Sequence, residues 1–187
     1  MKKKICLFLS FLLMLSFVGC GKSKEEDNNN PTEETQSKIT VYHEDLCDAV
    51  YEDFLEINIG DNYDKVVENL GEPNQLDTTN GENLYSWNAK EGYTISLIEK
   101  DGKIISKSDT VDSKIKSNVT LEMYKKVELG MTLDEVEAIL GKGRLSYEVK
   151  DGDNVKSMYA YYNEDNSNAI ITYTNKIVSN FSENNLK

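Results

Sequence analysis

From residue 41 onward, apolar side chains recur at two different spacings. In the first stretch they return every three or four residues, at Leu46, Val50, Phe54, Tyr63, Val66, Val67 and Leu70. This spacing is typical of helices with one apolar stripe. Gly60 interrupts the stretch, so the pattern predicts two consecutive helices, with Asn62 capping the start of the second and Gly71 ending it.

The same helical spacing returns between residues 121 and 141. Leu121, Tyr124 and Val127 predict a short helix, and Leu133, Val136 and Leu140 predict a second one. Thr132 and Glu135 have the spacing of a capping box, which predicts where the second helix begins. Gly141 then stands where a helix commonly ends in a left-handed residue.

After each helical stretch the apolar period changes to two residues, which predicts β-strands. Turn signals such as Asn80-Gly81, Asp101-Gly102 and Asp151-Gly152 separate them. The strands are predicted at about 75–79, 83–88, 93–99 and 103–110, and again at about 145–150, 155–162, 168–174 and 176–183.

The two halves also match in sequence. Gly60 corresponds to Gly130, Asp64 to Asp134 and Gly71 to Gly141. The predicted fold class is therefore α+β, a tandem repeat of helix, helix and four antiparallel strands over about 41–112 and 118–187. One unit alone would bury little surface, so both are expected to form a single domain over 41–187.

The first nineteen residues have the layout of an export signal. Lys2, Lys3 and Lys4 precede an apolar run from Ile5 to Val18, and Gly19 precedes Cys20. At 1.5 Å per residue this run is shorter than the roughly 20 residues that a membrane-spanning helix needs. Residues 1–19 are predicted to be a cleaved signal peptide.

The segment Phe17-Val18-Gly19-Cys20 resembles the lipobox of bacterial lipoproteins, in which the cysteine is lipidated and becomes the mature N-terminus. The resemblance implies an acylated Cys20 that anchors the protein at the extracytoplasmic face of the cell membrane, each buried CH₂ contributing about 0.8 kcal/mol. An ordinary secretory peptide and an uncleaved anchor are the alternatives. Residues 20–40 are predicted to be a disordered tether, because Ile39 is the one large apolar side chain that follows Cys20 in this segment.

Charge excludes some partners and leaves others open. The formal net charge is −12, and removing the three lysines of the signal gives −12 − 3 = −15. Such a chain is not expected to bind nucleic acid or anionic headgroups. A protein partner of unknown identity is expected instead.

No catalytic, metal or cofactor site is predicted. His43 is the single histidine, so a histidine triad or a multi-histidine metal site cannot be built within one chain. Cys47 is the one cysteine left after Cys6 and Cys20, and its apolar neighbours favour a buried thiol. The acidic residues near the turns lack the spacing of a calcium loop. The chain is therefore not expected to be an enzyme or to carry a cofactor.

The stretch Tyr124-Lys125-Lys126-Val127-Glu128-Leu129-Gly130-Met131-Thr132-Leu133-Asp134-Glu135-Val136 resembles a signature of the β-lactamase inhibitory protein family. The resemblance implies paired helices with four-stranded antiparallel sheets, whose concave face binds an enzyme. A similar Gly-Met-Thr start occurs in small outer-membrane assembly lipoproteins. Two departures limit the inference: Gln75 and Leu145 stand where the inhibitor has a disulfide in each unit, and its probing hairpin tip falls on residues 89–92, whose side chains differ.

Four aromatic side chains are the candidate binding residues. Tyr85 and Trp87 alternate on one predicted strand, and Tyr159 and Tyr161 take the matching places in the second half. On a face turned away from the helices they would form a protein-binding surface; on the opposite face they would be core. The leading hypothesis is a non-enzymatic, membrane-anchored protein-binding module. An inhibitor of a secreted enzyme and an accessory of envelope assembly are the alternatives.

Overall fold

The computed structural model describes residues 37–90, 92–110 and 116–187. The predicted signal peptide, Cys20 with its predicted lipid, and residues 20–36 of the predicted tether lie outside these ranges. Within them, none of the helices has both the length and the apolar character needed to cross a membrane.

Nine strands and four short helices make up the described part of the chain. The strands are β1 Lys38–Val41, β2 Gln75–Thr79, β3 Glu82–Asn88, β4 Thr94–Lys100, β5 Lys103–Asp109, β6 Arg144–Asp151, β7 Asn154–Tyr162, β8 Asn168–Thr174 and β9 Ile177–Asn184. The helices are α1 Tyr51–Glu56, α2 Tyr63–Leu70, α3 Leu121–Tyr124 and α4 Leu133–Leu140.

All nine strands form one antiparallel sheet in the order β1 to β9. The predicted tandem repeat of helix, helix and four strands is therefore wrong as a description of the fold, which is mostly a single sheet with few, short helices. The physical reason lies at β5 and β6. Ser106, Lys107 and Ser108 pair with Val149, Glu148 and Tyr147, so the strands join and leave no separate sheets.

The first strand was not predicted. β1 occupies Lys38–Val41 and pairs with β2, so the last three residues of the segment predicted as tether belong to the sheet. Among the described strands β1 has one neighbour, and its side chains remain largely exposed. A short apolar alternation beside a polar segment is a weak sequence signal, which explains the omission.

The helix ends follow local sequence in most places. Thr132 and Glu135 form the predicted capping box, with 3.3 Å from the Glu135 nitrogen to Thr132 Oγ1 and 2.7 Å from the Thr132 nitrogen to Glu135 Oε2. Gly71 and Gly141 end α2 and α4 at φ of 77° and 81°. Asn62 precedes α2 but its side chain does not cap it, because its Oδ1 accepts a hydrogen bond from Lys103 Nζ at 2.6 Å.

Helix α1 is shorter than predicted, since it begins at Tyr51 rather than near Leu46. The Cys47 nitrogen donates to the Asn88 carbonyl at 2.8 Å, which ties this segment to the end of β3 in an extended conformation. Leu46 and Val50 are consequently exposed, while Phe54 is buried.

The helices cover one face of the sheet and create the hydrophobic core there. In the first half Phe54, Val66 and Leu70 pack with Trp87 and Ile95 among others. The second half buries Val136 and Leu140 against Tyr161, Ile171 and Tyr173 in the same way. The opposite face of the sheet belongs to neither core.

Candidate binding face of the sheet

The face opposite the helices is defined by two rows of paired residues that cross all nine strands. Residues directly opposite each other in an antiparallel pair project to the same side. The first row is Ile39, Asp77, Leu84, Ile98, Ser106, Val149, Lys156, Thr174 and Ile177; the second is Val41, Gln75, Ser86, Ser96, Ser108, Tyr147, Met158, Thr172 and Asn180. We call this surface the open face.

The open face is poor in charge although the chain is rich in it. Charged residues make up 29% of the sequence, but in the two rows only Asp77 and Lys156 are charged. Lys156 is paired with Asp151 at 2.5 Å, and Asp77 accepts a hydrogen bond from Thr79 at 3.2 Å. Depletion of charge at the centre of a surface is the compositional signal of a protein interface.

The uncharged residues of the open face have two kinds of side chain. Apolar groups such as Leu84, Ile98, Tyr147 and Met158 alternate with serine and threonine hydroxyls, and Leu84 is 38% exposed. Such a mixture offers apolar area together with adaptable hydrogen-bonding groups, and it buries few charges on contact. The arrangement is suited to binding a protein surface.

A shallow depression lies at one end of the open face. It has a volume of about 320 Å³ and is lined by Leu84 and Ile98 together with the turn between β2 and β3. Glu82 and Lys100, whose charged atoms are 3.0 Å apart, flank it. An apolar side chain of a partner could be anchored here, since interface hot spots are commonly single side chains in pockets.

The four aromatic residues predicted as a binding surface lie on the other face, in the core. Trp87 and Tyr161 are fully buried, Tyr85 is buried and Tyr159 is half-buried. Trp87 Nε1 donates to the Gly71 carbonyl at 3.0 Å, and Tyr85 stacks on Tyr63 with ring centroids 4.3 Å apart. Burial also raises the pKa of the Tyr159 and Tyr161 hydroxyls. These rings hold the helices and are not available to a partner.

The turn between β3 and β4 is held down by the chain that precedes α1. The Gly92 nitrogen donates to the Ala89 carbonyl at 3.0 Å, and the Lys90 nitrogen donates to the Cys47 carbonyl at 3.1 Å. The Lys90 ammonium also forms an ion pair with Asp48. Glu91 lies outside the described residues. These contacts fix the turn at the margin of the sheet.

Buried charges support the junction of β5 and β6 from the helix side. Lys107 Nζ donates to the carbonyls of Phe54 and Ile57 at 3.2 and 2.6 Å and lies 3.7 Å from the Glu148 carboxylate. Burial lowers the pKa of the Lys107 ammonium, and Glu148 opposes that shift. Lys107 thereby satisfies the carbonyl groups at the end of α1 and links both halves of the sheet.

Arg144 and Asp109 form a second buried ion pair beside this junction. The Arg144 guanidinium also lies 3.8 Å from the centroid of the Tyr51 ring, a cation–π contact. Burial raises the pKa of the Asp109 carboxyl, and the adjacent Arg144 opposes the rise. The only arginine of the chain therefore serves the frame of the sheet.

Residues with catalytic or metal-binding chemistry do not converge in the described ranges. No group of three or more histidine, cysteine, aspartate or glutamate side chains there could hold a metal ion. His43 lies at the N-terminal edge, where its Nδ1 is 3.3 Å from the Asn74 amide nitrogen. Cys47 is a free, half-buried thiol that packs against the first core cluster.

Sequence reasoning missed the open face because alternation reveals two faces of a strand without indicating which one is covered. A usable signal existed on β4, where Ile95 and Leu97 alternate with Thr94 and Ser96. The more apolar set is the one that a helix should cover. The same comparison fails on β6, because Leu145, Tyr147 and Val149 are its more apolar set although Tyr147 and Val149 lie on the open face. The register shift between Leu145 and Tyr147 separates Leu145, which is in the core, from the other two.

Comparison with known proteins identifies the family and the fold. A family model described as Beta-lactamase inhibitor (BLIP) matches residues 50–162. The crystal structure of a candidate β-lactamase inhibitor protein from Streptococcus mutans superimposes with a TM-score of 0.61, covering 72% of this chain and 94% of that one at 15% identity. No curated protein matches the chain in sequence.

Proposed function

Since the chain belongs to the β-lactamase inhibitor (BLIP) family, we propose that it is a non-enzymatic protein that binds a secreted enzyme through the open face of its sheet. The family description names inhibitors of β-lactamase. This agrees with the expectation that the chain is a binding protein rather than an enzyme. Enzymes of the β-lactamase class are the partners that the family description suggests.

The observation that carries the proposal is the composition of the open face. It extends across nine strands, is left uncovered by the described helices, and has only Asp77 and Lys156 as charged residues in its two rows, while the neighbouring row of Glu82, Lys100 and Lys103 is charged. Monomeric proteins rarely expose extended apolar area without using it for recognition. The hydroxyl groups of Ser86, Ser96 and Ser108 form a row that can adapt to a polar partner.

The frame behind the open face favours binding as a rigid body. The helices, the buried rings and the ion pairs of Lys107 and Arg144 all lie on the other side, so they fix the sheet without blocking the face. A preorganised surface loses little conformational entropy on association. This is the property that an inhibitor of a folded enzyme requires.

We also propose that Cys20 is lipidated and that residues 20–37 connect the lipid to β1. The support is the apolar run ending at Gly19-Cys20 and the polar composition after it. An acyl anchor would place the open face outside the cytoplasmic membrane, where secreted enzymes act. Replacement of Cys20 by alanine is expected to abolish incorporation of labelled palmitate in cells and to release the protein from the membrane fraction.

Enzyme titration tests the proposed partner class. The full chain, solubilised in detergent, is added to purified β-lactamases of each serine class and of the zinc class, and hydrolysis of a chromogenic cephalosporin is followed. We expect at least one enzyme to lose activity with an end point near one inhibitor per enzyme. If no enzyme is inhibited and calorimetry detects no binding, β-lactamases are not the target.

A further inference from the structure

Among the described residues, no strand pairs with the outer side of β1. The Tyr42 nitrogen donates to the Asn74 carbonyl at 2.9 Å, toward β2. Backbone groups of consecutive residues in a strand point to opposite sides, so the N–H and C=O groups of Ile39 and Val41 point away from β2. Within the described residues, β2 is the single strand that pairs with β1.

The opposite edge of the sheet is covered at the start of β9. The Gly130 nitrogen donates to the Val178 carbonyl at 3.0 Å, and the Val178 nitrogen donates to the Met131 carbonyl at 2.8 Å, so a loop covers the start of β9. A register shift opposite Thr172 and Tyr173 further distorts the edge. Natural proteins use such bulges and covers to prevent strand addition. β1 has neither device in the described structure.

The side chains of β1 extend the open face to this edge. Ile39 and Val41 are 60% and 62% exposed and stand in the same rows as Leu84 and Ser86. A strand added beside β1 would therefore continue both rows without a break. A partner that covers the open face as far as Ile39 and Val41 would reach the outer side of β1.

We propose that the bound protein contributes an extended strand that pairs with β1, and this inference rests on the proposed function. Ile39 and Val41 each offer one donor and one acceptor, so the added strand gains up to about four backbone hydrogen bonds. The side chains of the added strand that project to the open face are apolar and β-branched, so that they pack beside Ile39 and Val41. A second copy of the chain is not the occupant, because four-residue strands bury far less than the roughly 1,000 Å² of a stable interface.

The test uses the synthetic peptide acetyl-Lys-Thr-Val-Thr-Val-Thr-amide and the full chain in detergent. Nuclear magnetic resonance should show the amide signals of Ile39 and Val41 shifting and exchanging more slowly as peptide is added. Val41→Pro removes one outward N–H without breaking a bond to β2, as proline is tolerated at a sheet edge. It should bind the peptide about tenfold more weakly, the loss expected for one good hydrogen bond.

Val41→Thr is the matched control, because it keeps the N–H and the β-branched shape and should bind within about threefold of the parent. Equal thermal unfolding of all three proteins verifies that β1 remains paired. The proposal is overturned if the parent does not bind the peptide, if Val41→Pro binds as well as Val41→Thr, or if the same shifts arise from protein concentration alone. If the peptide does not bind but a β-lactamase is inhibited, the proposed strand pairing is wrong and the proposed function stands. If the peptide binds but no β-lactamase is inhibited, only the proposal that the partner is a β-lactamase is wrong.

Discussion

At the scale of single residues, Asp109 and Arg144 show how charge is used inside this protein. Both side chains are buried, and each is the nearest opposite charge of the other. A buried ion pair contributes little net stability, but losing one partner leaves an uncompensated charge. The pair is therefore a sensitive point of the junction between β5 and β6.

Replacement of Arg144 by methionine should lower the free energy of unfolding by about 3–5 kcal/mol at pH 7. Burial already raises the pKa of Asp109 above 3.8, and removing Arg144 raises it further. The folded variant then binds a proton more tightly than the unfolded chain, so its deficit shrinks as the pH falls through that raised pKa. Urea unfolding at neutral and acidic pH measures this.

The double variant Arg144→Met with Asp109→Asn removes both charges and should recover much of the loss at pH 7. A deficit in Arg144→Met that stays constant over the whole pH range would contradict the account, because it would mean that Asp109 does not carry the penalty.

Gly143 marks a close approach of the backbone to a core ring. A Cβ at this position would lie 2.6 Å from Cζ of Tyr161, much closer than van der Waals contact. Gly143→Ala should therefore destabilise the protein by about 1–3 kcal/mol through overpacking. In a Tyr161→Leu background the ring is absent, so Gly143→Ala should lower the free energy of unfolding by less than it does in the parent. Strictly additive losses in thermal unfolding would exclude this contact as the cause.

At the scale of elements, the two longer helices begin in different ways although their sequences align. Thr132 caps α4 through its hydroxyl, whereas the Asn62 side chain turns to Lys103 instead of capping α2. Residue identity alone predicted a cap in both places. Competition from a lysine on a distant strand is a tertiary effect that the local sequence does not reveal.

Alanine substitution separates these two starts. Thr132→Ala should reduce the free energy of unfolding by about 1 kcal/mol, the usual value for a lost cap. Asn62→Ala should cost less, since it removes only an exposed hydrogen bond to Lys103. Denaturant unfolding of both variants gives the comparison. A larger loss for Asn62→Ala would show that its side chain does stabilise α2.

Most strand positions could be predicted, because period-two alternation and Asn-Gly or Asp-Gly turns are local signals. The predicted range 75–79 coincides with β2, and 168–174 coincides with β8. β1 and the short α1 could not be predicted, since both depend on contacts with β2 and β3 that are distant in sequence. The four aromatic residues illustrate the same limit: their strand was predictable and their face was not.

At the scale of the whole molecule, pairing between β5 and β6 turns the described strands into one sheet with two different faces. Sequence similarity between the halves indicated repeated units and gave no information on whether their edges would join. The joined sheet has the rings, helices and buried charges on one side. Its other side carries the two rows of the open face, which extend from β1 to β9 and contain two charged residues.

The central claim is that this open face binds the partner. The direct measurement is the affinity, by calorimetry, for the β-lactamase inhibited in the enzyme titration. The parent is compared with Tyr147→Ala/Met158→Ala, which removes two adjacent side chains of the open face. The control is Leu129→Ala, which removes a 67% exposed side chain that precedes Gly130 and belongs to neither row. Thermal unfolding confirms that each variant is folded.

We expect the open-face variant to bind at least about tenfold more weakly, the loss typical of hot-spot residues, and the Leu129→Ala variant to bind like the parent. An unchanged affinity for the folded open-face variant, or an equal loss in both variants, would contradict the assignment of binding to the open face.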